Sequence, residues 1–157
     1  DMAKRVLVAF FSASGVTRRA AQCIANATGG DLYEIVPETP YSARDLDWTD
    51  KNSRSTVEMN DPDCRPAIAS PLPDTAAYDI VFVGFPVWWY VEPRVIDTFL
   101  QGCDLAGKTI VPFATSGGSG ISGAERRMAE LVPAAEVKRG KLVRGDCSDW
   151  AISAVRG

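Results

Sequence analysis

Three hydroxyl side chains and one glycine fall within six residues at Ser12-Ala-Ser-Gly-Val-Thr17. Hydroxyls donate to anionic oxygens, and glycine lets a backbone approach a ligand closely. Upstream, Arg5-Val-Leu-Val-Ala-Phe-Phe11 is the unbroken apolar run of a strand buried on both faces. Downstream, Val16, Ala20, Ile24 and Ala27 fall on one stripe of a helix. The six residues therefore join the carboxyl end of a strand to a helix N-terminus, where free amides and the positive end of the helix dipole suit a phosphate. Ser12, Ala13, Ser14, Gly15, Val16 and Thr17 are the candidate phosphate ligands. The segment is neither a Gly-Lys-Ser/Thr loop nor a Gly-x-Gly-x-x-Gly loop, and without a lysine the charge must be met by dipoles. Ser and Thr also cap helices with nothing bound, which is the competing explanation.

Two further loops carry unusual chemistry. Pro86-Val-Trp-Trp-Tyr-Val-Glu92 sets three aromatics in a row just after the apolar run Ile80–Phe85. Such rings cannot all enter the core, so at least one should face a cleft; ordinary burial is the alternative. Thr115-Ser-Gly-Gly-Ser-Gly-Ile121 follows the apolar run Thr109–Ala114 and is small, polar and rich in exposed amides. A plain turn would look similar.

The elements that must position these loops alternate. The first helix stops at Gly29-Gly30, and Asp31–Ile35 reads as a second strand. Ile80–Phe85 is the third strand, Pro93–Leu100 a helix opened by proline, and Thr109–Ala114 a fourth strand in which Pro112 suggests a bulge. Ala124, Met128, Leu131 and Val132 mark another helix; Glu136–Arg144 supplies a fifth strand interrupted by Gly140, and a last helix docks by Trp150. Alternating β and α with continuous apolar strands predicts an α/β fold, a doubly wound five-stranded parallel sheet in three α/β/α layers. Residues 36–77 break the rhythm and hold six of the ten prolines. A short helix is expected within Ser53–Met59, and the stretch either packs on the sheet edge or rims the site.

A parallel sheet brings the ends of strands one, three and four to one edge, where such sheets bind ligands. A phosphate nest, an aromatic wall and a polar loop together describe a site for a flat aromatic ring with a phosphorylated tail. Flavin mononucleotide (FMN) fits that description.

The 157 residues are expected to form one domain, 1–157, with 46% hydrophobic and 24% charged residues and a net charge of −3. Nothing in that balance favours nucleic acid. Apolar runs are strand-sized, and no membrane span or secretory segment is expected; Met2 reads as a natural start, and the expected location is cytoplasmic. Cys23, Cys64, Cys103 and Cys147 lack metal spacing, and Cys23, within or beside the first helix's apolar face, is expected to be a packing residue. There is no histidine, which removes Ser-His-Asp and Cys-His catalysis and most metal sites. Any enzymatic chemistry would belong to a cofactor, and no side chain is singled out as catalytic.

On Ser12–Thr17, Gly84-Phe-Pro-Val-Trp-Trp-Tyr90 and Ala114-Thr-Ser-Gly-Gly-Ser-Gly120, the chain resembles the flavodoxin family from Lys4 to about Leu131. It is most similar to a bacterial branch carrying Tyr41-Ser-Ala-Arg-Asp-Leu-Asp-Trp48 and an Arg54…Glu58-Met-Asn-Asp-Pro62…Arg65-Pro66 stretch. The resemblance implies a flavodoxin-like sheet of order 2-1-3-4-5, noncovalent FMN, and electron transfer to a redox protein partner or a small acceptor. Position by position, Ser12, Ser14, Gly15, Val16 and Thr17 would hold the phosphate. Pro86, Val87, Trp88 and Trp89, with Tyr90 beside them, would flank one side of the ring system. Thr115, Ser116, Gly117, Gly118, Ser119 and Gly120 would flank its other side and pyrimidine edge. Trp88–Glu92 has no glycine, whereas small carriers of the family often turn a peptide here on reduction. A bulky residue at positive φ costs about 1–2 kcal/mol, so two-electron reduction is expected over one-electron shuttling. A receiver domain on the same fold would need carboxylates where Phe10, Phe11 and Ser12 stand.

Overall fold

The computed structural model describes residues 4–115 and 120–157. Five parallel strands, β1 (Val6–Phe10), β2 (Asp31–Glu34), β3 (Ile80–Pro86), β4 (Thr109–Thr115) and β5 (Glu136–Val137), run in the order β2-β1-β3-β4-β5. This is the doubly wound order expected. β1 and β3 are in register from Val6↔Ile80 to Phe10↔Gly84, which aligns the loops that leave their carboxyl ends.

Side-chain alternation sorts the core onto two faces. Leu7, Ala9, Val81, Val83, Phe85 and Ile110 pack under α3 (Arg94–Gly102) and α4 (Ser122–Leu131), against Val95, Ile96, Phe99, Leu100, Ala124 and Met128. Val6, Val8, Phe10, Ile80, Phe82, Val111 and Phe113 pack under α1 (Val16–Thr28) and α5 (Ser148–Arg156), against Ala20, Ala21, Ile24, Ala151 and Trp150. Burial on both faces is why the central strands carry unbroken apolar runs.

Two local expectations change. The buried stripe of α1 is Thr17, Ala20, Ala21, Ile24 and Ala25, while Val16 is 46% exposed because it opens the helix beyond the end of the core. Pro112 makes no bulge: it keeps continuous register with Val83. The carbonyls of Lys108, Ile110 and Ala114 accept from the fifth strand's side, so by alternation the missing amide of Pro112 faces that side too. The fifth strand therefore parts there into β5 and a second piece, β6 (Lys141–Leu142), with Gly140 between them lying so close to the Pro112 carbonyl that a Cβ would fall 2.1 Å from its oxygen. As expected, Cys23 packs half-buried against the core under α1 and α5, and its thiol donates to Asp146 Oδ1 at 3.4 Å.

Residues 36–77 form a closed excursion. At its base the Glu38 amide donates to the Ala67 carbonyl at 2.8 Å and the Ala69 amide to the Val36 carbonyl at 2.7 Å. Inside lies α2 (Arg54–Met59), whose N-cap Ser53 accepts from the Thr56 amide, as that stretch predicted. Among the described residues no helix is long and apolar enough to cross a membrane, and no His, Cys, Asp and Glu cluster is placed to hold a metal.

Candidate functional site

Gly15 caps α1 at φ 93°, a left-handed conformation that glycine adopts without steric cost, and open space surrounds its α-carbon. The turn it makes folds Ser12 back under the helix. Ser12 Oγ accepts from the Gly15 amide at 3.0 Å and the Arg18 amide at 3.3 Å, leaving its own hydrogen free to donate. Among the described residues, nothing caps the amides of Val16 and Thr17. Ala13 and Ser14 are exposed at the same end of the helix. Uncapped amides, an aligned dipole and short hydroxyls form a donor set that fits a phosphate.

Thr17 is 2% exposed, and its hydroxyl meets that of Thr115 at 2.8 Å. This contact ties the Ser12–Thr17 loop to the end of β4. Val16, Arg19, Ala20 and Thr115 share a cavity of about 240 Å³ with Val143 and Gly145. Arg19 thus brings a cation beside a nest that the sequence left to dipoles alone. Arg18 instead pairs with Glu34. Ser116, Gly117, Gly118 and Ser119 lie outside the described residues, and Gly120 is exposed where the chain resumes.

The aromatic loop is a tight two-residue hairpin. The Trp88 amide donates to the Val91 carbonyl at 3.0 Å, and the Val91 amide returns to the Trp88 carbonyl at 3.2 Å. Trp89 (φ 47°) and Tyr90 (φ 69°) both take positive φ, as a type I′ turn requires. Glycine and asparagine normally fill such positions; two bulky aromatics there store about 1–3 kcal/mol each, a strain that clusters at functional sites. In a loop without glycine, both positive-φ positions thus fall on aromatic residues.

What holds that turn is long-range. Trp88 meets Phe11 at 5.8 Å and Tyr41 at 5.4 Å, both edge-on, so the end of β1 and the excursion together orient its ring. Arg54 lies 3.8 Å over the Tyr41 ring, and the Tyr41 hydroxyl donates to Glu58. Burial, and then Glu58, push the Tyr41 hydroxyl well above its ordinary pKa. Behind the turn, Glu92 and Asp97 are fully buried and share Arg127, whose Nε donates to Glu92 at 3.0 Å and whose Nη2 donates to Asp97 at 2.7 Å. Burial first, and the neighbouring Asp97 next, push Glu92 up to about 9, so this carboxyl keeps its proton at neutral pH. Arg94 donates to the carbonyls of Glu58, Met59 and Asp61, and Arg127 to that of Pro62. Two guanidiniums thereby clamp the excursion to α3 and α4.

The clamp has a consequence at the site. Leu46, Trp48 and Ser55 of the excursion face Val87, Trp88, Trp89 and Tyr90 across a cavity of about 440 Å³. Residues 36–77 therefore both pack at the edge of the sheet and rim the site. Sequence reasoning named the turn but none of Leu46, Trp48 or Ser55 as lining it. A tryptophan in a polar segment was the available signal.

The loops leaving β1 and β3 and the end of β4 thus meet outside the carboxyl ends of a sheet whose strand order reverses between β1 and β3, the ligand position of doubly wound α/β proteins. A family model described as Flavodoxin matches residues 5–155, and the chain belongs to the flavodoxin family. It is similar over 98% of its length to a candidate flavoprotein from Bacteroides eggerthii, with 48% identity, 96% of that chain covered and a TM-score of 0.92. A second candidate flavoprotein, from Bacteroides uniformis, shares 46% identity over 99% of this chain and 100% of that one, with a TM-score of 0.91. A flavoprotein from Lactobacillus acidophilus, solved in complex with FMN, shares the fold at 22% identity and a TM-score of 0.77, covering 99% of this chain and 100% of that one. No curated protein matches the chain.

Proposed function

We propose that this flavodoxin-family protein is an FMN-dependent oxidoreductase that passes electrons to a small acceptor. FMN is the cofactor; when bound it supplies the electron chemistry, and the chain supplies binding and electrostatics. The phosphate sits on the free amides of Val16 and Thr17 with the hydroxyls of Ser12 and Ser14, Gly15 setting the turn, and the ring lies between the Trp88–Tyr90 turn and the Thr115–Gly120 loop. The observation that carries this reading is the Thr17–Thr115 hydroxyl contact, which brings the uncapped helix end and the end of β4 together. The L. acidophilus complex supports it through a shared fold.

The alternative is a pure carrier that serves a redox protein partner and turns over no small molecule. The walled cavity beside the turn favours the enzyme, since a carrier needs only an exposed flavin edge. The turn also favours two-electron chemistry. Rotating the Trp89–Tyr90 peptide would convert the hairpin toward type II′, whose first central position takes glycine, and Trp89 stands there. Four free cysteines suit the reducing cytoplasm in which we place the protein. Steady consumption of NAD(P)H with a dye acceptor by the FMN-loaded protein is the expected result. Reduction that proceeds only when a protein partner is added would select the carrier.

A further inference from the structure

The cavity of about 440 Å³ has a second wall that the flavin-binding loops do not supply: Leu46, Trp48 and Ser55, all from the excursion. Trp48 is 73% exposed, an uncommon placement for an indole, and it stands across the cavity from the strained aromatic turn. Ser55 is 2% exposed, yet the partner of its hydroxyl among the described residues is Ser53 Oγ at a long 3.4 Å. A buried hydroxyl so weakly engaged retains a donor for a ligand oxygen. None of the described lining side chains carries a charge, which disfavours an ionic or phosphorylated occupant. Apolar and aromatic walls with one placed donor suit a flat, neutral ring bearing a carbonyl.

We propose that this cavity binds a quinone-class ligand, held between Trp48 and the Trp89–Tyr90 turn, with the Ser55 hydroxyl donating to a quinone carbonyl. As an assignment of the electron acceptor, the proposal rests on the flavoenzyme reading above. The quinone gains two electrons from the flavin and two protons from water, and both carbonyl oxygens become the hydroxyls of a hydroquinone. A nicotinamide hydride donor replenishes the electrons.

Equilibrium dialysis against duroquinone tests the site, because its fully methylated ring resists addition by the free thiols. The full chain is used with and without FMN, and FMN affinity is measured in parallel. FMN-loaded protein is expected to bind duroquinone saturably. Trp48→Ala should weaken that binding about tenfold and Ser55→Ala about threefold, with FMN affinity changed less than about twofold. Exposure of Trp48 makes its replacement harmless to folding. Mutual exclusion of FMN and duroquinone, or an equal loss of both in Trp48→Ala, would give the cavity to the flavin ring and overturn the proposal. Undiminished duroquinone binding in Trp48→Ala would overturn it too. Trp48-dependent duroquinone binding by a protein that takes up no FMN would uphold the site and overturn the flavoenzyme reading instead.

Discussion

The proposed phosphate loop at Ser12–Thr17 and the wall built by residues 36–77 reach the same edge of the sheet by opposite means. The loop is backbone chemistry: a left-handed glycine, a folded-back serine and amides at a helix end, all within one turn of chain. The wall is side-chain chemistry over long sequence distances, held by Arg94 and Arg127 reaching from α3 and α4 to carbonyls near Pro62. Local backbone geometry tolerates most substitutions except at the residue that sets it. A clamp made of buried charge fails as a unit, because each removed partner strands another.

The sharpest way to separate the two regions is Gly15→Asp. It combines the φ penalty with a carboxylate beside the phosphate and should weaken FMN binding about 100-fold or more. Gly15→Ala meets nothing within 4 Å and retains only the backbone cost of about 1–2 kcal/mol. Titration of both variants with FMN checks this; equal affinities would place the phosphate elsewhere.

Next in size is Arg127→Met, which leaves the fully buried Glu92 and Asp97 without their shared cation and should cost about 3–5 kcal/mol in urea unfolding. A loss below about 1 kcal/mol would mean that the carboxyls do not need Arg127, and the clamp account would fail.

Glu92→Gln probes the same clamp through pH. In the folded chain Glu92 holds its proton up to about 9, against an ordinary 4.5. The unfolded chain releases that proton first, so this group's contribution to stability falls as pH rises from 4.5 toward about 9. Gln mimics the protonated carboxyl and has nothing to release. Its Tm advantage over the parent should therefore widen from pH 5 to pH 9; parallel curves would show that Glu92 is ionised in the fold.

The smallest effect expected is at the turn. Tyr90→Gly removes an exposed ring and its positive-φ strain, and should stabilise the fold by about 0.5–1 kcal/mol. Destabilisation in thermal melts would mean that the ring contributes packing that outweighs the strain.

The sheet was legible because its central strands are buried on both faces and its helices carry apolar stripes, patterns that survive without tertiary information. The loops after β1 and β3 were legible because each begins where an apolar run stops. Pro112 was recognised as a misfit but assigned a bulge, since only strand pairing reveals which neighbour faces its missing amide. Val16 was counted in the helix stripe because periodicity does not say where the core ends. The cavity wall at Leu46, Trp48 and Ser55 lay beyond reach for a different reason: Arg94 and Arg127 clamp the excursion that carries it, and no local pattern announces which carbonyls a guanidinium will find 30 or more positions away.

Absorbance-monitored titration of the flavin-free chain with FMN and, separately, riboflavin tests the joint phosphate and ring site most directly. The account predicts that FMN restores the twin flavin bands with perturbed maxima, while riboflavin at the same concentration does not. Equal affinity for the two would remove the phosphate nest at Ser12–Thr17, and indifference to both would leave the fold standing without its cofactor.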